Sequence, residues 1–527
     1  MKLFKNAYFI FLFFCSILLS QNQTVGVFDY NEDVYNGYTL FSPSRDTYLI
    51  NNCGQLMHSW SSDYQTGGSI YLLDDGSLLR TTKINDSNVF EGGGIGGGVE
   101  KLDWDGNVIW SYPYNSDTYH QHHDIEPLPN GNILILGWEL KNSEDAISKG
   151  RDPSLLEDGE LWPEHIIEIE PDGDSGNIVW EWHLWDHLIQ DFDSTLVNFG
   201  VVSDHPELLN INYLGPGQNS SNGKADWIHA NSIDYNEELD QIIISSRALS
   251  EFWIIDHSTT TEEAASSSGG NAGMGGDILY RWGNPRAYDR GTVNDRVLFA
   301  QHHVQWIDKE LPGEDNIILF NNGRNRPDGD YSSIDEISPP INGFNYDIDS
   351  DNSYGPFDLV WTYVASNPSD FYADHISGCQ RLPNGNTLIC SGPDGIFYEV
   401  NEMSDILWEY KNPVYGNTIL NQGDYPPSGP FGQTVASNSV FRCEKFSPDF
   451  SAFEGHELIS GLPIEGPPYL YPILCTKISI EENSNSITNI IKRVDLFGRE
   501  ITSQKGFFVE LYNDGQTHKM YKLRSIY

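Results

Sequence analysis

Basic residues are scarce in this 527-residue chain: 30 Lys and Arg stand against 76 Asp and Glu, for a formal net charge of −46. A surface of that sign repels nucleic acid and anionic membrane, which excludes both as main partners. Long apolar runs are also missing. After residue 20 no stretch reaches bilayer-spanning length, so the mature chain is expected to be soluble, with no membrane insertion. Cysteine is sparse, six in all. No phosphate-cradling glycine motif occurs either. The run EGGGIGGG (91–98) lacks a following Lys-Ser/Thr or a helix signal and reads as a loop, which gives no support to a nucleotide cofactor.

Aromatic residues, by contrast, are abundant: 13%, with 14 Trp and 28 Tyr. A sizeable core is therefore expected and disorder is not. Lys2 and Lys5 precede an apolar run from Ala7 to Leu19 that ends abruptly at Ser20-Gln21, so residues 1–20 read as a secretory signal peptide. Export would allow disulfides. Cys379 and Cys390 flank the turn Pro383-Asn384-Gly385-Asn386. A two-residue hairpin would set them face to face, leaving an oxidised pair or two buried thiols as open readings.

One pattern recurs six times: apolar, apolar, bulky, variable, aromatic. Its copies are LMHSW (56–60), VIWSY (108–112), IVWEW (178–182), ILYRW (278–282), LVWTY (359–363) and ILWEY (406–410). Between them lie hairpins such as LPNGNILIL (128–136) and LPNGNTLIC (382–390). Repeated strand-and-turn units with aromatic punctuation predict an all-β chain whose residues 21–470 form a six-bladed β-propeller. A tandem of β-sandwiches is the alternative. Because the first copy precedes the first complete hairpin, the N-terminus is expected to supply outer strands to the last blade and close the ring. Long polar or Gly/Ser-rich insertions, mainly 141–160, 187–224, 258–275 and 325–356, are candidate binding loops.

Residues 477–527 differ in character, with eight Lys/Arg against six Asp/Glu, and form a small C-terminal β domain by pattern. The segments KRVDLFGRE (492–500), GFFVE (506–510) and YNDG (512–515) resemble the C-terminal sorting domain of type IX secretion in Gram-negative bacteria. The resemblance implies that this tail engages the type IX secretion machinery and that the protein is secreted or displayed at the cell surface. A small carbohydrate-binding or edge-capping β domain is the competing reading.

Four histidines stand at or near strand starts in successive repeats: His123 (YHQHHDIEPLPNG), His229 (DWIHANSIDYN), His303 (AQHHVQWID) and His375 (FYADHISGCQRLPNG). The first strand of each blade runs along the central channel, so a ring would gather these side chains at one mouth. Period-two spacing puts Asn231 on the side of His229 and Gln305 on the side of His303. The turn after the His303 strand carries Arg324 and Arg326, two guanidiniums suited to clamping an oxyanion. Four convergent histidines could also bind zinc or another transition ion, although a neighbouring arginine would oppose the cation. Separately, Asp347, Asp349, Asp351 and Asp358 alternate like a structural calcium loop, with Asn352 where glycine is usual.

The segments DWIHANSIDYN, QHHVQWI, FNNGRNRPDGDYSSIDEI and FYADHISGCQRLPNGNTLI together resemble bacterial arylsulfotransferases of the aryl-sulfate-dependent type, over roughly residues 35–450. The resemblance implies a six-bladed propeller outside the cytoplasm. It implies an enzyme that moves a sulfuryl group from an aryl sulfate to a phenol by ping-pong chemistry, without a nucleotide. It also implies His375 as nucleophile and His229, His303 and Arg326 around the sulfuryl oxygens. His123, Arg324, Asn231 and Gln305 are substrate-binding candidates. Two other readings compete: a metal-dependent hydrolase or lyase on the same wheel, and a non-catalytic, adhesin-like binding propeller.

Overall fold

The computed structural model describes residues 23–472 apart from 85–88, 218–222, 350–352 and 427–437, and beyond them 474–475 and three tail strands. The expected signal peptide lies outside the described residues.

Six antiparallel sheets form the blades of a propeller. The inner strands of blades 1 to 5 are Thr66–Leu72, Tyr119–Pro127, Ala230–Asn236, His302–Trp306 and Gly378–Arg381. Blade 6 closes the ring as the sequence predicts: its inner strand Cys443–Phe446 pairs with Tyr38–Phe41, followed by Asp46–Asn51 and Leu56–Ser61. Gly26–Tyr30 adds a fifth strand to the outer edge of blade 5.

An inner strand has one unpaired edge, and its N–H groups need acceptors. Side chains of the neighbouring inner strand supply many of them. Ile233 N–H donates to Asp124, Val304 N–H to Ser232 Oγ, Trp306 N–H to Asp234 and Lys445 N–H to Gln380 Oε1.

All six aromatic repeats fall in or run into the fourth strand of their blade, counted outward from the channel. Their doubled apolar start reflects a bulge: the register slips opposite Met57, Ile109, Val179 and Leu407. In blades 1 to 5 a tryptophan of the repeat latches the blade to the next; Trp60 of blade 6 makes no such bond. Trp110 Nε1–H donates to Ser175 O, Trp182 to Gly276 O, Trp282 to Pro356 O, Trp361 to Glu402 O and Trp408 to Asn52 O. Each accepting carbonyl lies in or just before the outer strand of the following blade. The repeat thus fastens each of blades 1 to 5 to the blade that follows.

Cys379 and Cys390 do not face each other; both are buried free thiols, as is Cys443. The intervening turn has three residues, not two, with Gly385 in left-handed backbone (φ 89°) and Leu382 N–H donating to Asn386 O. That one-residue change moves the register, so Cys379 opposes Ile389 and Cys390 opposes Gly378. Cys53 is disulfide-bonded.

Residues 471–527 form a separate compact unit. Within it Ile490–Val494, Phe508–Tyr512 and Thr517–Met520 form a three-stranded antiparallel sheet. Among the described residues no helix is long and apolar enough to cross a membrane.

Candidate active site

In blades 2 to 4 the inner strand breaks its ladder close to a histidine. Register shifts fall between Gln121 and Ile125, Ala230 and Ser232, and His302 and Gln305. His123 (φ 50°), His229 (φ 51°) and His303 (φ 50°) take left-handed backbone there. In blade 5, Ile376 (φ 43°) and Ser377 (φ 89°) do so just after His375. Non-glycine residues resist this conformation by roughly 1–2 kcal/mol each. The bulges re-aim side chains that a regular strand would direct elsewhere.

Two histidine–carboxylate pairs stand at the channel mouth. His229 Nδ1 meets Asp226 Oδ2 at 2.5 Å, and His375 Nδ1 meets Asp374 Oδ1 at 2.5 Å. His375 is the more open, its side chain 44% exposed against 16% for His229. Arg247 and Arg324 follow the second strands of blades 3 and 4, and Arg247 N–H donates to His229 O. The groups sense one another. The hydrogen bond from His375, aided by Arg324 and Arg247, holds the Asp374 carboxyl below the usual range. Burial, with Arg324 nearby, lowers Arg247.

His302 braces this group. Burial, Arg247, His229 and His375 push it well below the ordinary imidazole range, so it is neutral. Its Nε2 accepts from Ile376 N–H, so its Nδ1–H donates to Asn322 Oδ1. Asn322 Nδ2 then donates to Ala373 O and Ile376 O, and Ala373 N–H donates to Ser332 Oγ. The FNNG and YSSIDEI halves of one motif therefore clamp the backbone on both sides of Asp374-His375.

Several expected residues lie elsewhere. Arg326 is held in its own hairpin: its Nε–H donates to Tyr331 O and Nη2 to Ser333 Oγ, and the guanidinium lies over the Phe299 and Tyr331 rings. Arg324, rather than Arg326, is the guanidinium beside Asp374. His303 turns away from His375, accepting from Cys379 N–H at Nδ1, with Arg442 as its charged neighbour. It is His302, the residue before it in the QHHVQW segment, that accepts from the backbone next to His375. Asn231 donates to Gln301 O, and Gln305 donates to Cys379 O; both tie adjacent inner strands together. Of the aspartates read as a calcium loop, Asp351 lies outside the described residues and Asp358 is exposed. Asp347 accepts from Asn342 Nδ2, and Asp349 N–H donates to Ser353 O. Among the described residues no three His, Cys, Asp or Glu side chains form a group able to hold a metal ion.

His123 is buried between the channel and the glycine run. Its N–H donates to Gly94 O, and its ring stands edge-on to His229 with centroids 4.8 Å apart. A Cβ on Gly94 would fall 2.0 Å from His123 Nε2, and one on Gly96 would fall 1.9 Å from Gln121 Oε1. Only glycine lets this loop roof the histidine. Beside the roof lies a cavity of about 280 Å³, lined by Asp226, His229 and Arg247 together with Trp162, Asp158 and Lys224. The last two come from the insertions 141–160 and 187–224.

Sequence reasoning missed Asp226, Arg247, His302 and Asp374. The signal for both carboxylates was present, since Asp374 directly precedes His375 and Asp226 lies three residues before His229.

No curated protein matches the chain. Similar solved structures include a protein of unknown function from Bacteroides caccae at 11% identity, covering 78% of this chain and 99% of that one, with a TM-score of 0.40. Virginiamycin B lyase from Staphylococcus aureus follows at 9% identity, 75% and 90% coverage and a TM-score of 0.31. Hydrazine synthase from Kuenenia stuttgartiensis is similar at 12% identity, 56% and 69% coverage and a TM-score of 0.31. The family model for arylsulfotransferase (ASST) matches residues 41–415, a span that includes all four histidine-bearing inner strands and both arginines of the mouth, and the chain belongs to that family.

Proposed function

We propose that this protein moves a sulfuryl group from an aryl sulfate to a phenol by a ping-pong mechanism, through a covalent sulfohistidine on His375. The observation that carries this reading is the pairing of two histidine–carboxylate dyads with two arginines at one channel mouth. In a chain of net charge −46, such a concentration of cationic and NH-bearing groups suits an anionic donor.

Asp374 occupies His375 Nδ1 and so leaves Nε2 as the attacking atom. In the first half-reaction Nε2 forms a bond to sulfur, the bond from sulfur to the aryl oxygen breaks, and the leaving phenolate takes a proton. In the second, the acceptor phenol loses a proton, its oxygen bonds to sulfur, and the electron pair of the broken S–N bond returns to His375. Arg247 and Arg324 supply positive charge where the sulfuryl oxygens gain negative charge. His229, oriented by Asp226, exchanges the phenol proton. The cavity beside it offers Trp162 as a wall for an aromatic ring.

The apolar start of the chain, the sorting-like tail and the disulfide at Cys53 support export to an oxidising exterior, secreted or at the cell surface. Rapid quenching with 4-nitrophenyl sulfate and no acceptor should leave a sulfo group on His375, detected by peptide mass spectrometry. An adduct on another residue, or full turnover by His375→Ala, would overturn the assignment.

A further inference from the structure

Behind the mouth, three buried groups form a hydrogen-bonded chain that the mechanism above does not use. Glu164 Oε2 meets His122 Nε2 at 2.7 Å, and both side chains are fully buried. His122 Nδ1 meets His123 Nδ1 at 2.8 Å, while the His122 ring stacks on Trp138 at 4.0 Å. At the other end, Glu164 Oε1 accepts from the N–H of Ala230, the residue after His229. The chain thus begins beside the backbone of His229 and ends at His123, edge-on to the His229 ring.

Each of the two links needs one proton, and two arrangements satisfy both. In one, Glu164 is a neutral acid donating to His122 Nε2, His122 Nδ1–H donates to His123 Nδ1, and His123 Nε2 carries a proton. In the other, Glu164 is a carboxylate accepting from His122 Nε2–H, His123 Nδ1–H donates to His122 Nδ1, and His123 Nε2 is a free base. Moving one proton at His123 Nε2 interconverts them without breaking a hydrogen bond.

We infer that Glu164, His122 and His123 are a buried proton store that holds the proton exchanged between the two half-reactions; this rests on the sulfuryl-transfer reading above. As the aryl oxygen leaves sulfur it takes a proton from His229. His123 Nε2–H replaces that proton directly or through one water. The His122 proton then moves to His123 Nδ1, the Glu164 proton moves to His122 Nε2, and Glu164 is left as a carboxylate. When the acceptor phenol gives up its proton, each transfer runs in reverse.

Burial raises the Glu164 carboxyl well above its ordinary range and lowers His122 and His123, which favours the neutral, proton-loaded chain at rest. The facing groups are His120 and His165 beside His122, Asp226 beside Glu164, and His229, His302 and Arg247 beside His123. None removes the need for a proton in each link. In this scheme Glu164 and His122 act through His123 and are positioning residues.

A good leaving group such as 4-nitrophenolate needs little protonation, whereas phenolate needs a great deal. Glu164→Gln keeps the shape and hydrogen-bonding of the side chain but cannot store the proton. It should slow release from phenyl sulfate by about 10²-fold and from 4-nitrophenyl sulfate by far less. Glu164→Asp, which keeps the acid, should recover part of the phenyl sulfate rate. An infrared difference spectrum of the wild-type protein should lose a carboxylic-acid band when aryl sulfate is added without acceptor, whether or not the variants fold. Equal slowing of both donors by Glu164→Gln, or no loss of that band, would overturn the store while leaving sulfuryl transfer intact. Wild-type protein that turns over no aryl sulfate would overturn the sulfuryl-transfer reading, and the store with it.

Discussion

Inner and outer strands of the same blades both bulge, but in different backbone and to different ends. The outer bulges, at Met57, Ile109, Val179 and Leu407, are made without a positive φ. They sit in the aromatic repeats, five of which send an indole N–H to the next blade. The inner bulges of blades 2 to 4 place His123, His229 and His303 in left-handed backbone, and those of blades 2 and 3 bring the His123 and His229 rings together. Such strain persists only where surrounding structure over-determines it. The outer ring provides that rigidity, and the inner ring uses it to hold reactive groups in an otherwise unfavourable arrangement.

If that division is right, His375→Ala should show the largest effect, a loss of about 10³-fold or more in phenol release with little change in unfolding midpoint. Next should come Arg442, whose guanidinium is buried against Asp124 across the channel, with Nη1 and Nη2 each donating to the carboxylate. Arg442→Met leaves that carboxylate unpaired and should cost about 3–5 kcal/mol in denaturant unfolding. Arg324→Ala should lower kcat/KM for aryl sulfates by about 10²-fold, and Arg326→Ala by much less, since only Arg324 neighbours Asp374. A reversed order would break the comparison at the mouth.

Smaller effects test the frame. Trp408→Phe removes the buried N–H donor to Asn52 O and should cost about 1–3 kcal/mol, more than Trp110→Phe, whose acceptor lies at an exposed turn. Below the mouth, burial raises Asp234 to about 7. The unfolded chain releases that proton near pH 4 while the folded chain keeps it, so the group favours folding most below pH 4. Its contribution falls as pH rises from about 4 to about 7. Because the side chain keeps some contact with solvent, the change should be on the order of 2 kcal/mol. Asp234→Asn should flatten it in unfolding measured across that window.

The outer strands were legible because their signal is local: an apolar pair, a bulky residue and an aromatic recur regardless of loop length. The mixed closing blade followed from the first copy's place ahead of the first complete hairpin. At the mouth, the sequence offered histidines in register, and between the adjacent His302 and His303 the HVQWI segment favoured His303. That choice depends on which side of a bulge faces the channel, and a bulge leaves little trace in side-chain alternation. Arg324 and Arg326 differ in the same way, since two residues along a tight turn separate a channel group from one folded back on Tyr331. Cys379 and Cys390 were misaligned by a single turn residue.

The sequence by itself determined the all-β repeat, the ring closure, the negative charge and the set of histidines from which a site is built. Periodicity, composition and turn chemistry act over a few residues and survive without knowledge of the fold. Tertiary structure alone decided which distant members meet: Arg247 and Arg324 from neighbouring blades beside Asp374, and Glu164 with His122. Those contacts join strands far apart in the chain, and a half-turn of backbone at each bulge sets which side chain reaches across.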